Sequence, residues 1–445
     1  MQTGVARAGE VSGSGQAAQP AKLRPVQMAW LAGSIFVVAA GYGALLPVLP
    51  GWLVSLKPAA SDGDIGRHVG FLSGVYAAGV LLGAPLWGIV SDRVGRGRIL
   101  ILGLLGYVAS LLALLLPAMD TGWGIGWLYA LRGATGFFVA AVVPVVAALV
   151  AEHTPKAKRA RRFAWLGAMS LLGFLFGPAL SAVASALGPW ITDAAATSAL
   201  SAQLVLVLSA LLGGAMMVGL AASLPAARVA AVAAQAPADT ATANPLRGHP
   251  VALLWLSATV MFVLAGFEMG IVLLGQQSAG QSSRQAAIML AECSLVMLGV
   301  NALLFITSLL EKASARLLIR AGLVLAVVGL VVLAVDRSDA WMYLGVSLTA
   351  AGTGLVLPVI AYLAAGSARQ NLGLVMGGLT AAAGLGQTLG SIAGGWLFGV
   401  LAHLSYGVLT LPLLVMLGLL LACRGGCSAL LRSGAAIWTS DLDER

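Results

Sequence analysis

The chain is 445 residues long, 60% hydrophobic and 9% charged, with a mean hydropathy of +0.96. Too few polar side chains are available to clothe such a chain in water, which excludes the soluble globular classes and predicts an integral membrane protein. The formal net charge of +9 would suit nucleic acid only if the basic residues formed one patch; they are instead spread among the breaks between apolar stretches, so no nucleic-acid partner is expected. The lipid bilayer is the expected surrounding.

From the amino end, residues 1–25 are rich in Gly, Ala and Gln and lack an apolar core followed by a small-residue cleavage site. They read as a disordered cytoplasmic tail rather than a signal peptide. A bilayer-crossing helix needs about 20 apolar residues. Six such stretches follow, at 27–50, 70–90, 98–117, 124–151, 163–186 and 201–223, within an amino-terminal bundle of 26–224. The segment 225–250, rich in Ala, Pro, Thr and Asn, reads as a cytoplasmic linker. Six more stretches, at 251–274, 286–309, 317–335, 340–363, 373–398 and 404–422, form a carboxy-terminal bundle of 251–423, followed by a cytoplasmic tail at 424–445. The expected fold class is an all-α polytopic membrane protein of twelve transmembrane helices in two pseudo-symmetric six-helix bundles. The 57 glycines let backbones approach closely within a bilayer, where helices pack by dispersion.

Orientation follows from the basic residues. With the amino terminus in the cytoplasm, the opposite loops hold Lys57, Arg67, Arg284 and Arg337 of the 25 basic residues, Arg132 falls inside a span, and all the others are cytoplasmic. That asymmetry obeys the positive-inside rule and places both termini in the cytoplasm. Cys293, Cys423 and Cys427 do not form a disulfide framework, and a Cys-x-x-x-Cys pair without histidine partners is a poor metal site. Neither metal nor cofactor is expected.

The two halves echo each other. Pro144-Val-Val-Ala-Ala-Leu-Val-Ala151 matches Pro358-Val-Ile-Ala-Tyr-Leu-Ala-Ala365, and Gly173-x-x-x-Gly177-Pro178 matches Gly386-x-x-x-Gly390-Ser391; the two spacings agree to one residue. Leu310-Glu311-Lys312 is a degenerate echo of the acidic-basic pair Asp92-Arg93. Spans four and five thus correspond to spans ten and eleven, an internal six-helix repeat.

Between the second and third spans lies Gly88-Ile-Val-Ser-Asp92-Arg93-Val-Gly95-Arg96-Gly-Arg98. Its glycines permit a tight turn, and Asp92 sets an anion at a helix boundary. This pattern resembles the loop signature of the major facilitator superfamily of secondary transporters, and the whole membrane portion is similar to its twelve-helix drug:proton antiporter branch. The resemblance implies a conformational role for Gly88, Asp92, Arg93, Gly95 and Arg96. Asp92 is expected to be drawn to the positive amino end of the eleventh span near Asn371, holding the halves together on the cytoplasmic side. A topological anchor of charges is the plainer reading.

Leu128-Tyr-Ala-Leu-Arg132-Gly-Ala-Thr135-Gly136 resembles the fourth-helix motif of proton-coupled members, which implies proton transfer at Arg132. Thr135 and Phe138 depart from that motif, and a snorkelling anchor is equally open. In the fifth span Gly173, Gly177 and Pro178 resemble the antiporter motif, with Ser181 and Ala182 replacing its closing glycines. The resemblance implies a smooth helix face against the other half, and a small-residue packing face is the alternative. Pro47 and Pro50 resemble a further motif at the exit of the first span.

Glu268 and Glu292 fall inside spans and are the candidate proton-coupling carboxyls, because ionisable residues at membrane depth carry ion pathways. Tyr42, Phe137, Phe138, Phe267, Met269 and Gln276 are candidate substrate-cavity liners. There is no phosphate-binding Gly-x-x-x-x-Gly-Lys-Ser/Thr loop and no clustered Ser/His/Asp or Cys/His set, so an enzyme is not expected. The expected function is proton-coupled efflux of small organic or drug-like molecules, by a monomer in a bacterial inner membrane. A siderophore or metallophore exporter, a proton symporter for sugars or other small solutes, and a non-transporting membrane sensor remain as alternatives.

Overall fold

A computed structural model describes residues 23–57, 59–116, 124–154, 156–191, 197–223, 249–277, 283–307, 313–335, 338–367 and 372–422. Among these, every regular element is helical. In chain order they are α1 (Pro25–Leu56), α2 (Asp62–Val94), α3 (Arg96–Ala113), α4 (Ile125–Val139), α5 (Val143–Glu152), α6 (Lys156–Ile191), α7 (Thr197–Ser223), α8 (His249–Gln277), α9 (Ser283–Ile306), α10 (Ala315–Val335), α11 (Asp339–Ser367), α12 (Leu372–Leu401) and α13 (Ser405–Ala422).

Eleven apolar stretches among the described residues are long enough to cross a bilayer; one comprises α4 and α5, and the last, Gly377–Leu421, runs for 45 residues. At about 1.5 Å per residue a straight helix of that length would be twice the bilayer thickness. A 3-10 turn at Ala402–Leu404 divides it into α12 and α13, which brings the number of crossings to the twelve expected. Several helices outrun their expected spans by a turn or more, α2 and α6 most clearly.

Local chemistry sets the ends. Pro25 occupies the first turn of α1, where its missing N–H costs nothing. Ser61 caps α2 by accepting from the Asp64 N–H, with Asp62 and Asp64 in the first turn complementing the helix dipole. The elbow from α2 into α3 turns on Gly95, whose φ of +106° disfavours any side chain; its N–H donates to the Ser91 carbonyl at 3.0 Å.

The fourth crossing, expected to be continuous, breaks at residues 140–142. Pro144 cannot donate to the Ala140 carbonyl, and its ring crowds that same group. Its repeat partner Pro358 sits inside an uninterrupted α11, and α1 runs on through Pro47 and Pro50 to Leu56 rather than exiting there.

Within each half a central helix is gripped by a glycine-bearing one. A methyl group added at Gly177 of α6 would lie 2.7 Å from the Ala40 carbonyl oxygen and the Ala44 nitrogen of α1, and Gly173 abuts Phe36 and Ala39. The repeat partners behave alike: Gly386 and Gly390 of α12 lie against the backbone of Ala258 and Phe262 in α8. The face made by Gly173 and Gly177, expected to meet the other half, therefore meets α1 of its own half. The Ser181 hydroxyl, in place of a closing glycine, donates to the Ala44 carbonyl.

The halves meet along α2 with α12 and along α6 with α9. On α2 the contact begins at Gly63, against the Gly399 carbonyl at 3.1 Å from a notional methyl, and continues through Gly66 and Gly70, the latter 2.7 Å from Gly395 Cα and the Ser391 carbonyl. At the other end of α2 nothing among the described residues lies within 4 Å of such a methyl on Gly88. One end of the α2–α12 contact is closed backbone to backbone.

Candidate functional site

Helix α4 carries Arg132 seven residues in from Ile125, and α1, α2 and α3 surround it with Tyr42, Tyr76 and Tyr107. Arg132 is 2% exposed. Its guanidinium carbon lies 4.3 Å from the centroid of the Tyr76 ring and 5.8 Å from that of Tyr42; the two rings are stacked, with centroids 4.9 Å apart. Close approach of α4 is possible because Gly136 rests directly on the Tyr76 carbonyl. Contact with aromatic faces is worth about 2 kcal/mol to a desolvated cation, against several for burying the ion, so the tyrosines offset only part of the cost. Snorkelling to an interface does not describe so enclosed a side chain.

Glu268, on α8 of the other half, is also buried. The Tyr42 hydroxyl lies within hydrogen-bond reach of Gln387 of α12, and Glu268 acts on it electrostatically. Tyr42 of α1 thus meets groups of both halves, Arg132 from its own and Gln387 and Glu268 from the other. Glu292 is placed differently: its Oε1 accepts a 2.5 Å hydrogen bond from Ser347, a tie between α9 and α11 of one half. Cys293 is buried beside both carboxyls.

The other expected liners divide. Phe267 and Met269 are fully enclosed, Phe267 near Tyr406 and Met269 against Gly394, so they belong to the core of the carboxy-terminal half. Phe137 and Phe138 pack with Trp87, whose indole N–H donates to the Phe137 carbonyl at 2.7 Å, and the Phe138 ring covers Gly106 of α3. The Gln276 side chain lies outside the described residues, as do Asn371, Glu311, Lys312, Cys423 and Cys427.

At the Gly88 end of α2, Asp92 and Arg93 are exposed. Arg96 Nη2 reaches Asp92 at 3.1 Å and Glu152, at the end of α5, at 2.8 Å. Asp92 is thereby engaged within its own half. Exposed pairs of this kind contribute about 0–1 kcal/mol each.

Residues that sequence reasoning missed are Tyr76, Tyr107, Gln387, Ser347 and Glu152. Each is a polar group within or at the end of an apolar stretch, and that was the one signal available. Among the described residues no cluster of three or more His, Cys, Asp or Glu could hold a metal ion.

Comparison with known proteins fits this architecture. The chain is 36% identical over 151 residues to the class B tetracycline resistance protein of Escherichia coli, covering 34% of this chain and 35% of that protein. It is 27% identical over 147 residues to the quinolone resistance protein NorA of Staphylococcus aureus, covering 33% and 35%. These alignments span about a third of the length of the curated relatives. In fold it is similar to the partially occluded, inward-open xylose transporter XylE from Escherichia coli, with a TM-score of 0.67 and 13% identity over 90% of this chain and 98% of that one. Residues 31–365 match the Major Facilitator Superfamily, and with that stretch running from the first crossing into the tenth, the chain belongs to this superfamily.

Proposed function

We propose that the chain is a secondary active transporter that exports small organic, drug-like molecules in exchange for protons by alternating access, working as a monomer in a bacterial-type inner membrane. The observation that carries this reading is that Arg132 and Glu268, one ionisable group from each half, are both buried and both act on Tyr42, which also reaches Gln387 of the other half. Ionisable groups at membrane depth are costly and persist where ions pass. The relatives named for tetracycline and quinolone resistance support the drug-like substrate class.

The basic residues support placing the Gly88 end in the cytoplasm. The glycines of α2 and α12 that meet at Gly63, Gly66 and Gly70 then shut the extracytoplasmic side, which supports an inward-facing conformation. Glu268 takes up a proton from outside and releases it inside. One proton entering down a potential of 100 mV supplies ~2.3 kcal/mol, enough to sustain roughly a fifty-fold substrate gradient. Gly88, Asp92, Arg93, Gly95 and Arg96 govern the balance between states, and Gly173, Gly177 and Pro178 give α6 a rigid seat on α1. The groups present serve binding and proton transfer rather than covalent catalysis.

The test is substrate-dependent proton movement in liposomes containing purified protein, with tetracycline, a quinolone and a lipophilic cation as trial substrates. Proton movement opposite to substrate, lost in Glu268→Gln, is the expected result. Co-directional movement, or counterflow retained in the variant, would overturn the antiport reading.

A further inference from the structure

Arg132 is buried with an unusual deficit. Its Nε and Nη2 have no hydrogen-bond partner among the described residues. These two nitrogens are neighbours on one edge of the guanidinium, the edge that takes both oxygens of a carboxylate side by side. The Tyr107 hydroxyl is likewise buried without a partner among the described residues. It and Tyr42 act electrostatically on Arg132, and it rests on Gly41, next to Tyr42 in α1.

The groups acting on Arg132 are three tyrosines; Glu268 acts on Tyr42. A buried cation edge and a hydroxyl, all able to donate and without partners among the described residues, are complementary to an anion rather than to a cation or an apolar group. We propose that Arg132 and Tyr107, beside Tyr42, form the receptor for an ionised acidic group, a carboxylate or enolate, on the transported molecule. This rests on the transport reading above and narrows it: preferred substrates carry an anionic group that enters the amino-terminal half. The cluster is sealed in the present conformation, with Tyr42, which meets groups of both halves, beside it. Movement of Tyr42 as the halves rearrange is what opens it.

The test uses matched pairs in which an acid differs from its methyl ester or primary amide: a quinolone, a naphthoate and an anthranilate. Binding to the full chain in nanodiscs and flux in liposomes are measured for each. The native protein is expected to bind the acid of at least one pair roughly tenfold or more tighter than its neutral partner. That preference should vanish in Arg132→Gln, survive in part in Arg132→Lys, and fall a few-fold in Tyr107→Phe, with neutral-ligand binding changed less than about twofold. Tyr107→Phe keeps the ring and so remains informative if Arg132→Gln fails to fold. Equal binding of acid and neutral forms, or a preference that outlasts loss of Arg132, overturns the proposal; so does Arg132-dependent stabilisation by chloride but by none of the acids. Flux without acid preference would leave the transport reading standing and this proposal fallen. Acid preference without flux would do the reverse.

Discussion

Ser347 donates a 2.5 Å hydrogen bond to the Oε1 of Glu292, fastening α11 to α9 inside one half. Glu268, by contrast, acts electrostatically on Tyr42 of the other half. Two carboxyls that look equivalent in sequence are therefore given different work. Glu292→Gln keeps a carbonyl oxygen for Ser347 and is expected to retain proton-coupled transport within about threefold, whereas Glu268→Gln should abolish coupling. Parallel flux assays on the two variants decide it, and equal losses would remove the distinction.

Among the described residues nothing lies within 4 Å of a methyl added at Gly88 in this conformation. Gly88→Val is expected to leave thermal stability within about 0.5 kcal/mol of native while lowering transport several-fold, because the added bulk collides only when that end closes. Unchanged turnover would show that α2 and α12 never meet there.

Gly70 is the converse case. A side chain there meets Gly395 Cα and the Ser391 carbonyl, each 2.7 Å from its first carbon. Gly70→Val should cost the closed state about 1–3 kcal/mol. Thiol labelling of a cysteine introduced nearby on α12 is expected to quicken as that end opens.

Removing the Tyr42 hydroxyl separates stability from function. Tyr42→Phe keeps the stacking on Tyr76 and deletes a buried hydroxyl within reach of Gln387. Stability should change by no more than about 1.5 kcal/mol, while coupled transport falls several-fold. Thermal denaturation and flux on the same preparation give both readings, and a stability loss with normal flux would make Tyr42 purely structural.

Arg96→Ala cuts Asp92 from Glu152. Its stability cost should stay below about 1 kcal/mol, since both carboxylates are half exposed or more. A slower interconversion of inward and outward states is expected nonetheless, read by thiol accessibility at either end.

The crossings were legible because a bilayer demands long apolar runs, and Arg132 and Glu268 were legible because charges interrupt such runs. What surrounds them was not. Whether a tyrosine such as Tyr76 or Tyr107 faces lipid, core or a neighbouring charge depends on how each helix is rotated about its axis, which hydropathy does not set. Phe267 and Met269 were grouped with Glu268 by adjacency, yet successive residues on a helix point about 100° apart, and α8 is enclosed on nearly every side. The Asp92–Arg96 pair hangs on the backbone turn at Gly95, which the composition of the loop does not set. Pro144 and Pro358 occupy matching places, and only one breaks its helix. A proline removes a hydrogen bond anywhere; whether the chain then bends depends on its neighbours.

The closed end of α2 and α12 is sealed by main chain against main chain at Gly63, Gly66 and Gly70, while the exposed pairs around Arg96 tie α2, α3 and α5 to one another inside the amino-terminal half. Dissolved salt screens the second kind of contact and not the first. Raising ionic strength therefore leaves the seal between the halves as tight as before and acts instead on how firmly the elbow after α2 is held to its own bundle.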